Sequence, residues 1–166
     1  MEFKIREMKK EDWDSVADIY MQGIQTKNAS FQTEVPEYED WDKGHLKVGR
    51  YVAVNEQDRV IGWIALSPTS SRYVYRGVVE VSIYICESSR NNNIGCKLIN
   101  KVIEEAEKND IWTLQSGIFA TNEASISLHK KCGFRVVGIR EKIGRDSDGI
   151  WQDTVLMERR SKIVEM

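Results

Sequence analysis

The sequence predicts an α/β domain in which a central mixed β-sheet is flanked by helices, one domain spanning residues 1–166. Three observations carry that expectation. Val79–Ile85 alternates apolar and polar side chains, stops at Cys86-Glu87-Ser88-Ser89, and gives way to an amide-rich turn. After the turn, apolar residues recur with helical spacing at Ile94, Leu98, Ile99, Val102, Ile103 and Ala106. Finally, 166 residues are the usual size of one domain with a real core.

The elements follow in order. Lys4-Ile5-Arg6 reads as a short strand, and Lys10-Glu11-Asp12 opens a helix with Trp13, Val16, Ala17, Tyr20 and Ile24 on one face. Residues 26–36 are polar and irregular, with Phe31 as a buried candidate, and Tyr38–Val48 forms a weaker second helix. Arg50–Asn55 and Arg59–Leu66 make a strand pair joined by Glu56-Gln57-Asp58, followed by the loop Ser67–Ser71. Gly77–Ile85 is the central strand, 94–108 an amphipathic helix and Trp112–Phe119 a strand. Asn122–Lys131 is a short helix that Gly133 is placed to end. Phe134–Glu141 and Trp151–Glu158 are late strands joined by the turn Arg145–Gly149.

Composition narrows the function classes. A net charge of −2 argues against a nucleic-acid surface. No apolar run of membrane-spanning length occurs and the first residues lack an apolar leader, so a cytoplasmic protein without membrane partners is expected. Cys86, Cys96 and Cys132 are odd in number and widely spaced, which fits reduced thiols. His45 and His129 alone assemble no zinc site, and no metal is expected.

A strand, a tight polar loop and a helix start together form an arrangement that binds phosphate. The first N–H groups of the helix are unpaired, its N-terminus is partly positive, and a φ-permissive turn lets the backbone approach the anion. An ordinary strand-to-helix connection has the same outline. The loop is not a Walker loop, since no Gly-Lys-Ser/Thr follows, and the dinucleotide fingerprint Gly-x-Gly-x-x-Gly is missing too.

Arg90-Asn91-Asn92-Asn93-Ile94-Gly95 resembles the acetyl-CoA pyrophosphate signature Arg/Gln-x-x-Gly-x-Gly/Ala of the GNAT N-acetyltransferases. Asn93 replaces the usual Gly, and Asn is the non-Gly residue that best tolerates the left-handed conformation. A second segment, Asn122 to Phe134, is similar to the family's Asn-x-x-Ser/Ala-x-x-Leu-(Tyr or His)-x-x-x-Gly-Phe, and the element order also matches. His129, the strand Val79–Ile85, Ser30-Phe31-Gln32-Thr33-Glu34 and Arg72-Tyr73-Val74-Tyr75 resemble the phosphinothricin and methionine sulfoximine N-acetyltransferase branch. That branch's Lys-His-Gly-x-Trp-His-Asp element stands here as Ser147–Asp153, without either histidine.

The resemblance implies an enzyme that takes acetyl-CoA as co-substrate and acetylates the amine of a small amino-acid-like acceptor, of the phosphinothricin or methionine sulfoximine type, by direct attack. It gives Glu80 the role of base and His129 a second catalytic role. On the residues alone, Glu80 is equally readable as a solvated or ion-paired strand carboxylate, and His129 as a packed, hydrogen-bonded helix histidine. For the cofactor, the resemblance points to main-chain groups near Ile83, Tyr84 and Ile85, to Arg90, Asn91, Asn92, Asn93, Ile94, Gly95, Cys96 and Lys97, and to Asn122 and Ser125. Lys130 and Lys131 are further phosphate candidates. For the acceptor, Arg72 suits an α-carboxylate, with Phe31, Tyr75 and Trp151 as walls. Trp13, Trp41, Trp63 and Trp112 are read as packing. Two alternatives stay open, an enzyme acting on a protein N-terminus as other branches of the family do, and a non-catalytic acyl-CoA binding module that Asn93 permits; the resemblance also leads to the expectation of a homodimer.

Overall fold

A computed structural model of the protein describes residues 1–165. Among the described residues the strands are β1 (Phe3–Glu7), β2 (Tyr51–Asn55), β3 (Val60–Pro68), β4 (Val78–Ile85), β5 (Thr113–Phe119), β6 (Arg135–Arg145) and β7 (Trp151–Arg160). The helices are α1 (Trp13–Gln25), α2 (Tyr38–Gly44), α3 (Ile94–Lys108) and α4 (Glu123–Lys131). The seven strands form one mixed sheet in the order β1-β2-β3-β4-β5-β7-β6. Every neighbouring pair is antiparallel except β4–β5, which is parallel and connected through α3.

Side-chain alternation sends the two faces into two cores. Tyr51, Ala53, Ile64, Leu66, Val79 and Val81 pack against Leu98, Ile99 and Val102 of α3. Val52, Val54, Trp63 and Ala65 pack against Val16, Ile19, Tyr20 and Ile24 of α1 and Trp41 of α2. Glu80, Ser82 and Tyr84 are therefore on the α1 side of β4, out of phase with Val79 and Val81.

β4 pairs with β3 along its whole length, from Pro68↔Val79 to Gly62↔Ile85. It pairs with β5 only at Val78↔Thr113, Val79↔Leu114 and Glu80↔Gln115. Beyond Gln115, β5 continues on β7 to Phe119↔Thr154. The two central strands thus separate just after Glu80, and among the described residues the β5-facing edge of Val81–Ile85 has no strand partner.

Several boundaries differ from the sequence reading. The second helix ends at Gly44 rather than Val48, because His45 turns extended and the Leu46 N–H donates to the Leu66 carbonyl at 2.8 Å. Ser67 and Pro68 belong to β3, not to the loop, since they pair with Glu80 and Val79. β6 runs on to Arg145 through two register shifts, with Lys142 at φ 46° and its N–H donating to the Asp153 carboxylate. Phe31 is 37% exposed rather than buried, although its ring meets Phe119 at 4.6 Å. Trp41 and Trp63 are packing residues as expected. No helix among the described residues is long and apolar enough to cross a membrane.

Candidate active site

The separation of β4 from β5 opens two adjoining cavities of about 830 Å³ and about 450 Å³. Both are walled by Ala29, Ile83, Tyr84, Asn122 and Ser125, so they form one continuous groove across the split.

The larger cavity is built at the start of α3. Asn91 and Asn93 take left-handed conformations at φ 66° and 65°, so Asn93 does what the usual Gly would do at that position. Its carbonyl accepts the Lys97 N–H, which leaves the N–H groups of Ile94, Gly95 and Cys96 with no carbonyl one turn back. Left-handed residues in the turn ahead of a helix let such groups point toward one concavity. Arg90, Asn91, Asn93, Ile94 and Cys96 line it, with Ile85 of β4 and Lys131 of α4 across from them. One wall thus carries a guanidinium and another an ammonium around a helix N-terminus, which suits a polyphosphate.

Three expected cofactor residues are not on this surface. The Asn92 amide donates to the carbonyls of Ser89 and Arg90 and holds the loop closed. Gly95 is buried under α4, where an added Cβ would lie 2.7 Å from Leu128 Cδ2, so its role is helix approach. Lys97 is exposed, and neither it nor Lys130 reaches the cavity, whereas Lys131 does.

The smaller cavity holds both expected catalytic residues. Glu80 sits at the last β4–β5 pair, beside Ser67 of β3. Its carboxylate faces Gly117 of β5, where an added Cβ would be 3.8 Å from Oε1. It has no ion-pair partner among the described residues.

His129 reaches the cavity from α4 and is almost fully buried. Its Nδ1 lies 2.7 Å from the Ser125 carbonyl, which can only accept, so Nδ1 carries the proton. Nε2 is left as an acceptor, 3.0 Å from the Ser116 hydroxyl. Burial lowers the imidazole pKa below 6.5, partly opposed by the Ser125 carbonyl. Ser116 alternates with Gln115 and Gly117 along β5, so Glu80 and the Ser116–His129 pair approach the opening from opposite faces of the sheet.

Phe31 lines this cavity, but the other expected acceptor residues do not. Arg72 and Tyr75 are exposed on the segment between β3 and β4, with the guanidinium 5.4 Å from the Tyr75 ring centroid. Trp151 is 50% exposed at the outer end of the β6–β7 hairpin, where it pairs with Arg145. Thr154 is the β7 residue that reaches the cavity. The sequence reading missed Ser116, Ser67 and His45 as walls. His45 was the only other histidine and so a detectable candidate, whereas nothing in the sequence marks Ser67 or Ser116. The His45 Nδ1–H donates to the Trp41 carbonyl at 2.7 Å, and burial lowers its pKa as well.

Residues 5–156 match the family model described as an acetyltransferase (GNAT) domain. The chain is 28% identical to a phosphinothricin N-acetyltransferase of Streptomyces coelicolor, over 95% of this chain and 96% of that one. It is 27% identical to an L-amino acid N-acyltransferase of Escherichia coli, over 93% of this chain and 91% of that one. Among solved structures, yncA of Salmonella typhimurium, determined with its cofactor acetyl-CoA, superposes with a TM-score of 0.88. That pair is 25% identical and covers 96% of this chain and 94% of the other.

Two predictions follow from this geometry. Asn93→Gly keeps the left-handed start of α3 and retains acetyl-CoA affinity, whereas Asn93→Val costs about 1–2 kcal/mol in strain and weakens binding. Calorimetric titration with acetyl-CoA and urea unfolding measure the two effects. The second concerns pH. Both histidines have folded pKa values below the ordinary 6.5. Below 6.5 the unfolded chain therefore binds more protons than the folded one. Their contribution is complete above that value and is lost as the pH falls from it. The urea midpoint should drop between about pH 7 and about pH 5.5, and the drop should be smaller in His129→Gln.

Proposed function

This chain belongs to the GNAT acetyltransferase family, and from that premise we propose that it transfers the acetyl group of acetyl-CoA to the amine of a small amino-acid-like acceptor. The observation that carries the proposal is the split between β4 and β5, with an anion-binding helix start at one end and an unpaired carboxylate at the other. The groove suits acetyl-CoA along its length. Three free helix N–H groups, Arg90 and Lys131 would hold the pyrophosphate. The unpartnered edge of Val81–Ile85 would take the pantetheine amides as an added strand. The relatives support a small acceptor, since one acts on phosphinothricin and another on L-amino acids by name.

Acetyl-CoA supplies a thioester carbonyl that a free amine can attack. At neutral pH the acceptor arrives largely as an ammonium ion, so two protons must be moved. Glu80 takes the first, freeing the amine lone pair, and passes it to solvent. The second leaves the nitrogen as the amide forms. Ser116 Oγ receives it while its own hydroxyl proton goes to His129 Nε2, and the reverse transfer protonates the departing thiolate. His129 suits this relay because Nδ1 is committed to the Ser125 carbonyl and the neutral ring keeps Nε2 as an acceptor.

Among the described residues no Arg or Lys lines the smaller cavity. An acceptor carboxylate would therefore be met from its rim. Arg72 is the candidate, because its segment joins Pro68 to Val78, next to the Ser67–Glu80 pair. The guanidinium has no carboxylate partner among the described residues.

Glu80→Gln should lower kcat by roughly 10²-fold with acetyl-CoA affinity unchanged, and the defect should shrink as the pH rises and free amine accumulates. Normal turnover of Glu80→Gln at pH 7 would move the base elsewhere. Arg72→Ala should raise the acceptor KM by one to two orders of magnitude, on the basis of about 1.5–3 kcal/mol for a charge-assisted hydrogen bond. The KM for acetyl-CoA should stay constant. A thiol-release screen across amino acids, their decarboxylated analogues and peptides supplies the acceptor. Equal activity on all three, with Arg72→Ala silent, removes the amino-acid reading and leaves the acetyl transfer.

A further inference from the structure

Two thiols meet beside the cofactor groove, and the proposed reaction uses neither. Cys96 lies in the first turn of α3, is half-buried and lines the larger cavity. Cys132 caps the C-terminal end of α4 and is buried in the core with Phe134. The Cys132 thiol donates to Cys96 Sγ across 3.5 Å, between residues 36 apart in the chain. Cys86 stands apart, with its sulfur 3.4 Å from the Ser88 hydroxyl.

We propose that Cys96 and Cys132 are a redox site: a low-molecular-weight disulfide of the glutathione class converts them to an intrachain disulfide that weakens acetyl-CoA binding. The effect on binding rests on the cofactor reading above, but the bond itself does not. Cys96 acts first because it is the thiol that opens on the cavity. Its thiolate attacks one sulfur of the small disulfide, that S–S bond breaks, and one small thiol leaves. Cys132 then loses its proton and attacks Cys96 Sγ, expelling the second small thiol. Two protein thiols and one small disulfide become one protein disulfide and two small thiols, with the two electrons passing to the latter. Burial, aided by the contact with Cys96, holds the Cys132 thiol up at about 12, so Cys132 does not make the first attack, and its later attack on Cys96 relies on the two sulfurs already being in contact.

The consequence follows from what each sulfur is attached to. A disulfide requires the sulfurs to approach to about 2.05 Å, so the 3.5 Å separation must shorten by about 1.5 Å. Cys132 is held in the core, so the movement falls on Cys96. That draws the first turn of α3, with its free N–H groups, toward α4 and away from the groove. By reciprocity, bound acetyl-CoA must disfavour oxidation by the same factor.

The test uses the full chain equilibrated in glutathione redox buffers with and without acetyl-CoA. Titratable thiols should fall from three to one, and a non-reduced digest should contain the peptides of Cys96 and Cys132 joined. Calorimetry should show acetyl-CoA binding at least tenfold weaker in the oxidised protein and restored by dithiothreitol. Acetyl-CoA should then make the pair harder to oxidise, by about 30 mV for a tenfold effect. Cys86→Ser should behave like the native chain. Cys132→Ala should bind acetyl-CoA normally when reduced and should never give the joined peptide. Stable glutathione adducts on Cys96 with Cys132 free, or a joined peptide with unchanged affinity, overturn the proposal. A reduced native protein that fails to bind acetyl-CoA overturns the cofactor reading instead, while the digest still decides whether the disulfide forms.

Discussion

Three residue pairs hold β4 to β5, and what happens after the third governs the molecule. β4 is committed to β3 from Val79 to Ile85, and β5 is committed to β7 from Thr113 to Phe119. Each strand is stabilised by its own partner, so neither depends on the other beyond Glu80↔Gln115. The sheet can therefore part in its middle without losing those outer ladders. Parting it creates main-chain donors and acceptors with no partner, which is costly in a dry interior and useful where an extended ligand completes the edge.

Everything else in the candidate site is placed around that parting. α3 starts at one end of it, and its crowding against α4 is permitted by Gly95, where any side chain would meet Leu128. α4 in turn delivers His129, Ser125 and Asn122 to the groove. Asn122 caps α4 by accepting the Ser125 N–H, so the residue that starts the helix also walls the cavity. The sulfur pair lies where the same two helices come together.

Among the described residues, the buried side-chain polar atoms without a hydrogen-bond partner are the indole N–H groups of Trp41 and Trp63. His129 spends one ring nitrogen on a carbonyl and the other on a hydroxyl. Glu80 differs, because its carboxylate lines the cavity with no cation beside it among the described residues. That contrast separates an imidazole whose two nitrogens both have protein partners from a carboxylate that has no cation among the described residues.

The sequence alone determined whatever is local. The parity of β4 puts Glu80 out of phase with Val79 and Val81, and period 2 is a property of any strand. The left-handed turn at Asn93 and the helix stop at Gly133 are backbone requirements written in residue type. The segment from Asn122 to Gly133 carries both its cap and its stop. Tertiary structure decided what depends on partners distant in the chain. The second helix ends early because Leu46 finds the Leu66 carbonyl. Phe31 is left partly exposed on Phe119 because the groove beneath it is open. Ser116 matters only because α4 brings His129 over it; Arg72 and Tyr75 fall outside the cavity because the segment between β3 and β4 that carries them is exposed, and Trp151 because β7 meets the cavity at Thr154. Hydrogen bonds within a few residues can be inferred from spacing, but which strand edge goes unpaired is settled only by competition among all the strands for partners.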